Sequence, residues 1–167
     1  LQRLFADATL HDVVVMAEGS LDYDQMAEAD LLVAQGIQDA SSGLIQALLD
    51  GVVRGQSAWF IPPAERLGNG WGELLTGLGA GQPGSWIALD DPARLGELHH
   101  AHPLYDGVFS QAPKRVDLPS VRGWYGRFRP GMRERRILSF ADGKPFLTAG
   151  EHGQGRFYWM ATSLDAA

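Results

Sequence analysis

Residues 29–63 constrain the fold more than any other part of the chain. Ala29-Asp30-Leu31-Leu32-Val33-Ala34-Gln35 is a short apolar run that stops at Gly36. Asp39 or Ser41 is placed to cap a helix, and Leu44, Ile45, Leu48, Leu49 and Val52 then recur with a 3.6-residue period. Gly55 marks its end. Ser57-Ala58-Trp59-Phe60-Ile61 is a second apolar run, stopped by Pro62-Pro63. Strand, helix, strand with nearly continuous apolar strands predicts a parallel sheet covered on both faces.

The flanking sequence extends this pattern. Leu1, Leu4, Phe5 and Ala8 have helical spacing, so the chain is read as starting inside a helix. Residues 12–17, with Val13, Val14 and Val15, read as a buried strand. Residues 71–78 predict a short helix and residues 85–89 another strand. Farther on, residues 122–129 alternate aromatic and charged side chains, as half-exposed strands do. Asp142-Gly143 and residues 151–155 are hairpin turn signals between apolar runs. The expected architecture is an α/β, flavodoxin-like three-layer sandwich, with a mostly parallel sheet and a C-terminal antiparallel extension. No internal repeat or dividing linker is evident, so residues 1–167 read as one domain.

Composition narrows the function. Gly is 21 of 167 residues and Pro 9, too few for a low-complexity chain. The net charge of −6 provides no general field for nucleic acid, so no nucleic-acid partner is expected. Residues 114–136 nevertheless hold eight Lys and Arg against two acids, enough to hold an anion or to form an ordinary solvated face. Cysteine is absent, which removes disulfides, thiolate metal sites and thiol nucleophiles together.

Three motifs invite a chemical reading. Gly68-Asn69-Gly70-Trp71-Gly72 follows a strand and precedes a helix, but the third position of a dinucleotide fingerprint is Glu73, and no Walker Lys occurs. It reads as a mobile surface loop. Glu97, His99, His100 and His102 form the one metal-like cluster, suited to zinc or nickel in a metal-dependent hydrolase or lyase. Pro103 forces an extended or turn backbone on His102, so three loop histidines without a metal are the plainer reading. No Gly-x-Ser-x-Gly elbow is present.

A family resemblance joins these pieces. Asp30-Leu31-Leu32-Val33 with Ser41-Ser42-Gly43-Leu44, then Ile61-Pro62-Pro63, then His102-Pro103-Leu104-Tyr105-Asp106-Gly107-Val108-Phe109 follow in order. Val116-Asp117-Leu118-Pro119, Ile137-Leu138-Ser139-Phe140 through Asp142-Gly143-Lys144-Pro145-Phe146, and Gly153-Gln154-Gly155-Arg156-Phe157-Tyr158 into Ser163-Leu164-Asp165 complete the series. The series resembles the class I glutamine-amidotransferase-like domain of bacterial membrane proteins associated with von Willebrand factor A modules and aerotolerance. The resemblance implies an extracytoplasmic domain of a bacterial inner-membrane protein, with protein partners in the cell envelope or further copies of itself. True amidotransferases use a cysteine in a strand–turn–helix elbow, and this chain has none, so the resemblance implies a non-catalytic binding role without a cofactor.

By fold-level analogy, ligand-contacting positions are expected at the carboxyl ends of the strands: Gln35, Gly36, Pro62, Pro63 and Ala64. The family's first strand is missing. The chain is therefore expected to be a trimmed fragment, with a gap in the sheet or an exposed edge near residues 12–17 or 29–35 that a partner fills.

Overall fold

The structure, a computed structural model, describes residues 12–108, 116–127, 131 and 133–164. The helix expected at the start of the chain lies outside them. The first described α-helix, α1, is Tyr23–Glu28. It is followed by β1 (Leu31–Gln35), α2 (Ser42–Arg54), β2 (Ser57–Ile61) and α3 (Asn69–Gly77). The rest is strand: β3 (Pro83–Leu98), β4 (Ser120–Arg127), β5 (Arg135–Phe140), β6 (Pro145–His152) and β7 (Gly155–Met160).

Local chemistry sets the first half. The Ser41 hydroxyl accepts the Leu44 N–H at 3.3 Å and so caps α2. Gly55 ends α2 at φ 119°, a left-handed conformation that glycine adopts without a Cβ clash. The tight return seats Ser57 beside Leu31, and β1 and β2 run parallel.

The seven strands form one sheet in the order β1-β2-β7-β6-β5-β3-β4. Only β1–β2 and β2–β7 are parallel, and the remaining neighbours are antiparallel. The expectation of a flavodoxin-like sandwich with a mostly parallel sheet is therefore wrong. After α3 only β7 is laid parallel to a neighbour, against β2; the long β3 pairs antiparallel with β4 and β5, and β5, β6 and β7 follow one another through hairpins, whose strands can only pair antiparallel.

The layers are also uneven. Met26 of α1, Leu44, Leu48 and Val52 of α2, and Trp71, Leu74 and Leu75 of α3 share one buried cluster with Ala34, Ala58, Phe60, Phe157 and Trp159 of the sheet. A second cluster, with Ile61, Trp124, Ile137, Phe140, Leu147 and Tyr158, contains no residue of the described α-helices. Leu104, Tyr105 and Leu118 from the β3–β4 connection pack against it. Trp71 anchors the helix side. Its indole N–H donates to the Ile37 carbonyl at 2.7 Å, and its ring meets Phe60 and Trp159 edge-on at 6.0 and 5.6 Å.

Two local expectations are corrected. Residues 12–17 are irregular rather than a buried strand, and Val13, Val14 and Val15 are 43%, 52% and 64% exposed. β-Branched runs favour strands only where a neighbouring strand receives them. The glycines at 68–72 are no surface loop but the start of α3. A Cβ on Gly70 would lie 2.3 Å from the Ala40 carbonyl oxygen, so the helix start and the loop after β1 approach at backbone contact.

Candidate functional site

Open α/β sheets bind ligands outside the carboxyl ends of parallel strands, which here are the ends of β1, β2 and β7. Gln35 and Gly36 lie exposed at the end of β1, and the Gly36 N–H donates to the Ile61 carbonyl at 2.9 Å. Pro62 and Pro63 are buried and Ala64 is half-buried. The loops after β1 and β2 are tied together by Gly68 N–H to Gln38 O at 2.8 Å and by Arg66 to Asp39 at 3.5 Å. Glu65, in the same loop, takes φ 68°, sparsely populated for a residue with a side chain.

Beyond β7, strand β4 lies alongside the departing chain. Tyr125 N–H donates to Ala161 O, and the Thr162 hydroxyl donates to Gly123 O. The five expected ligand positions thus divide, with two on the surface and two in the interior.

The histidines separate as well. His99 Nδ1 lies 3.9 Å from Glu97 Oε1, and its Nε2 faces Ser139 Oγ at 3.4 Å. His100 is exposed in the turn. His102 lines one hollow with Arg135 and Arg156, and burial, then their charges, hold its pKa below the ordinary value. Among the described residues, no three His, Asp or Glu side chains converge in a way that could hold a metal ion.

The basic segment is likewise divided. Lys114, Arg115 and Arg129 lie outside the described residues. Arg122 donates to Asp90 O at 3.4 Å and Arg136 to Gly143 O at 3.1 Å. Arg133 and Arg135 instead border a hollow of about 340 Å³, closed by His102, Glu151 and Arg156. Sequence reading did not find this grouping. Its signal was the alternation of β7, which puts Arg156 on the same face as Tyr158.

The sheet edge is the other notable surface. Among the described residues β1 is the terminal strand. Leu31 is 40% exposed at its start, while Val33 and Trp59 pair in register and pack against the cluster on the face without helices.

No protein-family model matches the chain, and no curated protein matches it. Solved structures are similar in fold. Cytoplasmic protein STM3548 of Salmonella typhimurium matches with a TM-score of 0.67 and 14% identity over 90% of this chain. Cytoplasmic protein STM1381 of Salmonella typhimurium LT2 matches with a TM-score of 0.64 and 14% identity over 84%. A β-galactosidase from Bacillus circulans sp. alkalophilus matches with a TM-score of 0.56 and 16% identity over 82% of this chain, but over 21% of its own length. The chain spans 65% and 63% of the two Salmonella proteins. At these identities the likeness shows the fold alone.

These findings correct the expected placement in the cell envelope. Both Salmonella proteins are named cytoplasmic, and no described helix is long and apolar enough to cross a membrane. The reading as a membrane-associated, periplasmic domain of an inner-membrane protein is withdrawn.

Proposed function

We propose that this chain is a non-catalytic docking module that takes a protein partner along the outer edge of β1. The observation that carries the reading is the position of β1 at the end of the sheet, in a chain that also exposes Val13, Val14 and Val15. A terminal strand presents backbone N–H and C=O groups in a row, and an extended segment of another chain can pair with them. Met16 packs against the helix-side cluster, so the valine run is fixed to the fold at one end and adds exposed apolar area.

The resemblance to amidotransferase-like domains supports the non-catalytic part. The family's nucleophile is a cysteine, and this chain has none. A second copy carries the same edge, so self-association is the first test. Sedimentation velocity over a concentration series is expected to show a dimer that Leu31→Lys together with Val14→Lys weakens, with an unchanged circular dichroism spectrum. Turnover of amide or ester substrates by the pure chain, abolished by one point substitution, would overturn the reading.

A further inference from the structure

The hollow beside His102 lies on a different surface from the β1 edge. Register explains how it forms. Arg135 pairs with Ala149, and Ala149 with Tyr158, so Arg135 lies on the sheet face that carries Tyr158. Arg156 precedes Tyr158 by two residues and points to that same face. Two arginines twenty-one positions apart in the chain thus meet over one patch of sheet. The connection after β3 crosses this face, with Leu104 and Tyr105 packed onto the cluster, and brings His102 over the arginines.

The hydrogen-bonding inventory of the hollow is one-sided. His102 Nδ1 accepts the Leu104 N–H at 3.1 Å, which leaves the proton of the neutral ring on Nε2 as a donor. Burial, then Arg135 and Arg156, hold the His102 pKa below its ordinary value against the opposing pull of Asp106, so the ring is neutral at pH 7. Neither Arg133 nor Arg135 has a carboxylate within ion-pair distance among the described residues. Of the two acids, Glu134 accepts the Gly81 N–H at 2.9 Å and the Thr148 hydroxyl at 3.1 Å, and also takes the Gly131 N–H. Glu151 lies 3.9 Å from Arg156, with both side chains largely exposed. The hollow therefore offers guanidinium and imidazole donors, while one of its carboxylates is already engaged by the backbone.

We propose that the hollow bounded by His102, Arg135 and Arg156 is a binding site for a small oxyanion, a phosphate or carboxylate group. Guanidinium forks match the planar, paired oxygens of either group, and charge-assisted bonds of this kind are about twice as strong as neutral ones. The volume of about 340 Å³ admits a small molecule carrying such a group. Arg156 exchanges its long contact with Glu151 for the anion, and Arg135 gains a partner.

The test is isothermal titration of the full chain at pH 7 and constant ionic strength, with inorganic phosphate and with succinate as probes. Saturable binding of one or both is expected. Arg135→Gln with Arg156→Gln should weaken it by roughly tenfold or more, close to loss at millimolar affinity. Arg122→Gln, which removes one positive charge on β4, the terminal strand four places from β7, should leave it within about twofold. Phosphate binding alone assigns a phosphate ligand, and succinate binding alone assigns a carboxylate. Absence of saturable binding by either probe, or equal weakening by Arg122→Gln, overturns the site. Both glutamine substitutions are at exposed side chains, and chemical-shift mapping confirms that the fold is kept and that perturbed amides cluster at His102, Arg135 and Gly150.

Discussion

The backbone N–H of Tyr125 donates to the Ala161 carbonyl at 2.7 Å, which holds β4 against the chain leaving β7. The Tyr125 ring is thereby drawn in to 2% exposure, and its hydroxyl has no hydrogen-bond partner among the described residues. Burial first, and the charge of Glu65 second, push its pKa up to about 12. Tyr125→Phe deletes a buried group that makes no bond, so the expected change is from nil to a gain of about 1 kcal/mol in urea unfolding at pH 7. The wild type holds its phenol neutral more tightly when folded. That stability is fully present below pH 10 and is lost as pH rises toward about 12. The Phe variant should lack this alkaline slope.

Gly153 sits in the β6–β7 turn at φ 60°, with Val53 so close that a Cβ would lie 2.5 Å from its Cα. Gly153→Ala therefore meets both backbone strain and a clash with α2. A loss of roughly 1–3 kcal/mol in thermal or urea unfolding is expected. A neutral result would show that the turn and α2 are not in contact.

His102 has a folded-state pKa below 6.5, because burial and then Arg135 and Arg156 disfavour its charged form. The neutral ring's contribution to stability is fully present above pH 6.5 and is lost as pH falls through the folded pKa. Arg135→Gln removes one of the two positive neighbours. The His102 pKa followed by NMR should rise in that variant, and an unchanged value would separate the ring from the arginine.

The strands and helices nearest in sequence were legible because their signals are local. Ser41, Gly55 and the stripe from Leu44 to Val52 mark α2 at both ends and along its buried face. The partners of each strand were not legible, and they decide the fold class. Residues 83–98 illustrate this. The sequence pattern predicts a strand only over residues 85–89, yet β3 continues through Asp90, Asp91 and Pro92, where its pairing with β4 shifts register between Ala88 and Ala93. Such irregularities let a strand pass residues that a regular ladder rejects. The valines at 13–15 failed in the opposite sense, having a strand composition but no strand to join. Among the described residues β1 is the terminal strand, and residues 12–17, the other place where a gap or exposed edge is expected, form no strand. The hollow at His102 was missed because Arg135 and Arg156 meet only through the registers of β5, β6 and β7.

An unpaired outer edge on β1 is the premise of the docking reading, and hydrogen–deuterium exchange of the monomeric chain tests it most directly. Amides of β2, held between β1 and β7, should be strongly protected. Those amides of β1 that point away from β2, together with the amides of Val13, Val14 and Val15, should exchange far faster, and should slow when a partner or second copy binds. Uniform slow exchange across β1 in the isolated monomer would contradict the account, since the edge would then already be covered.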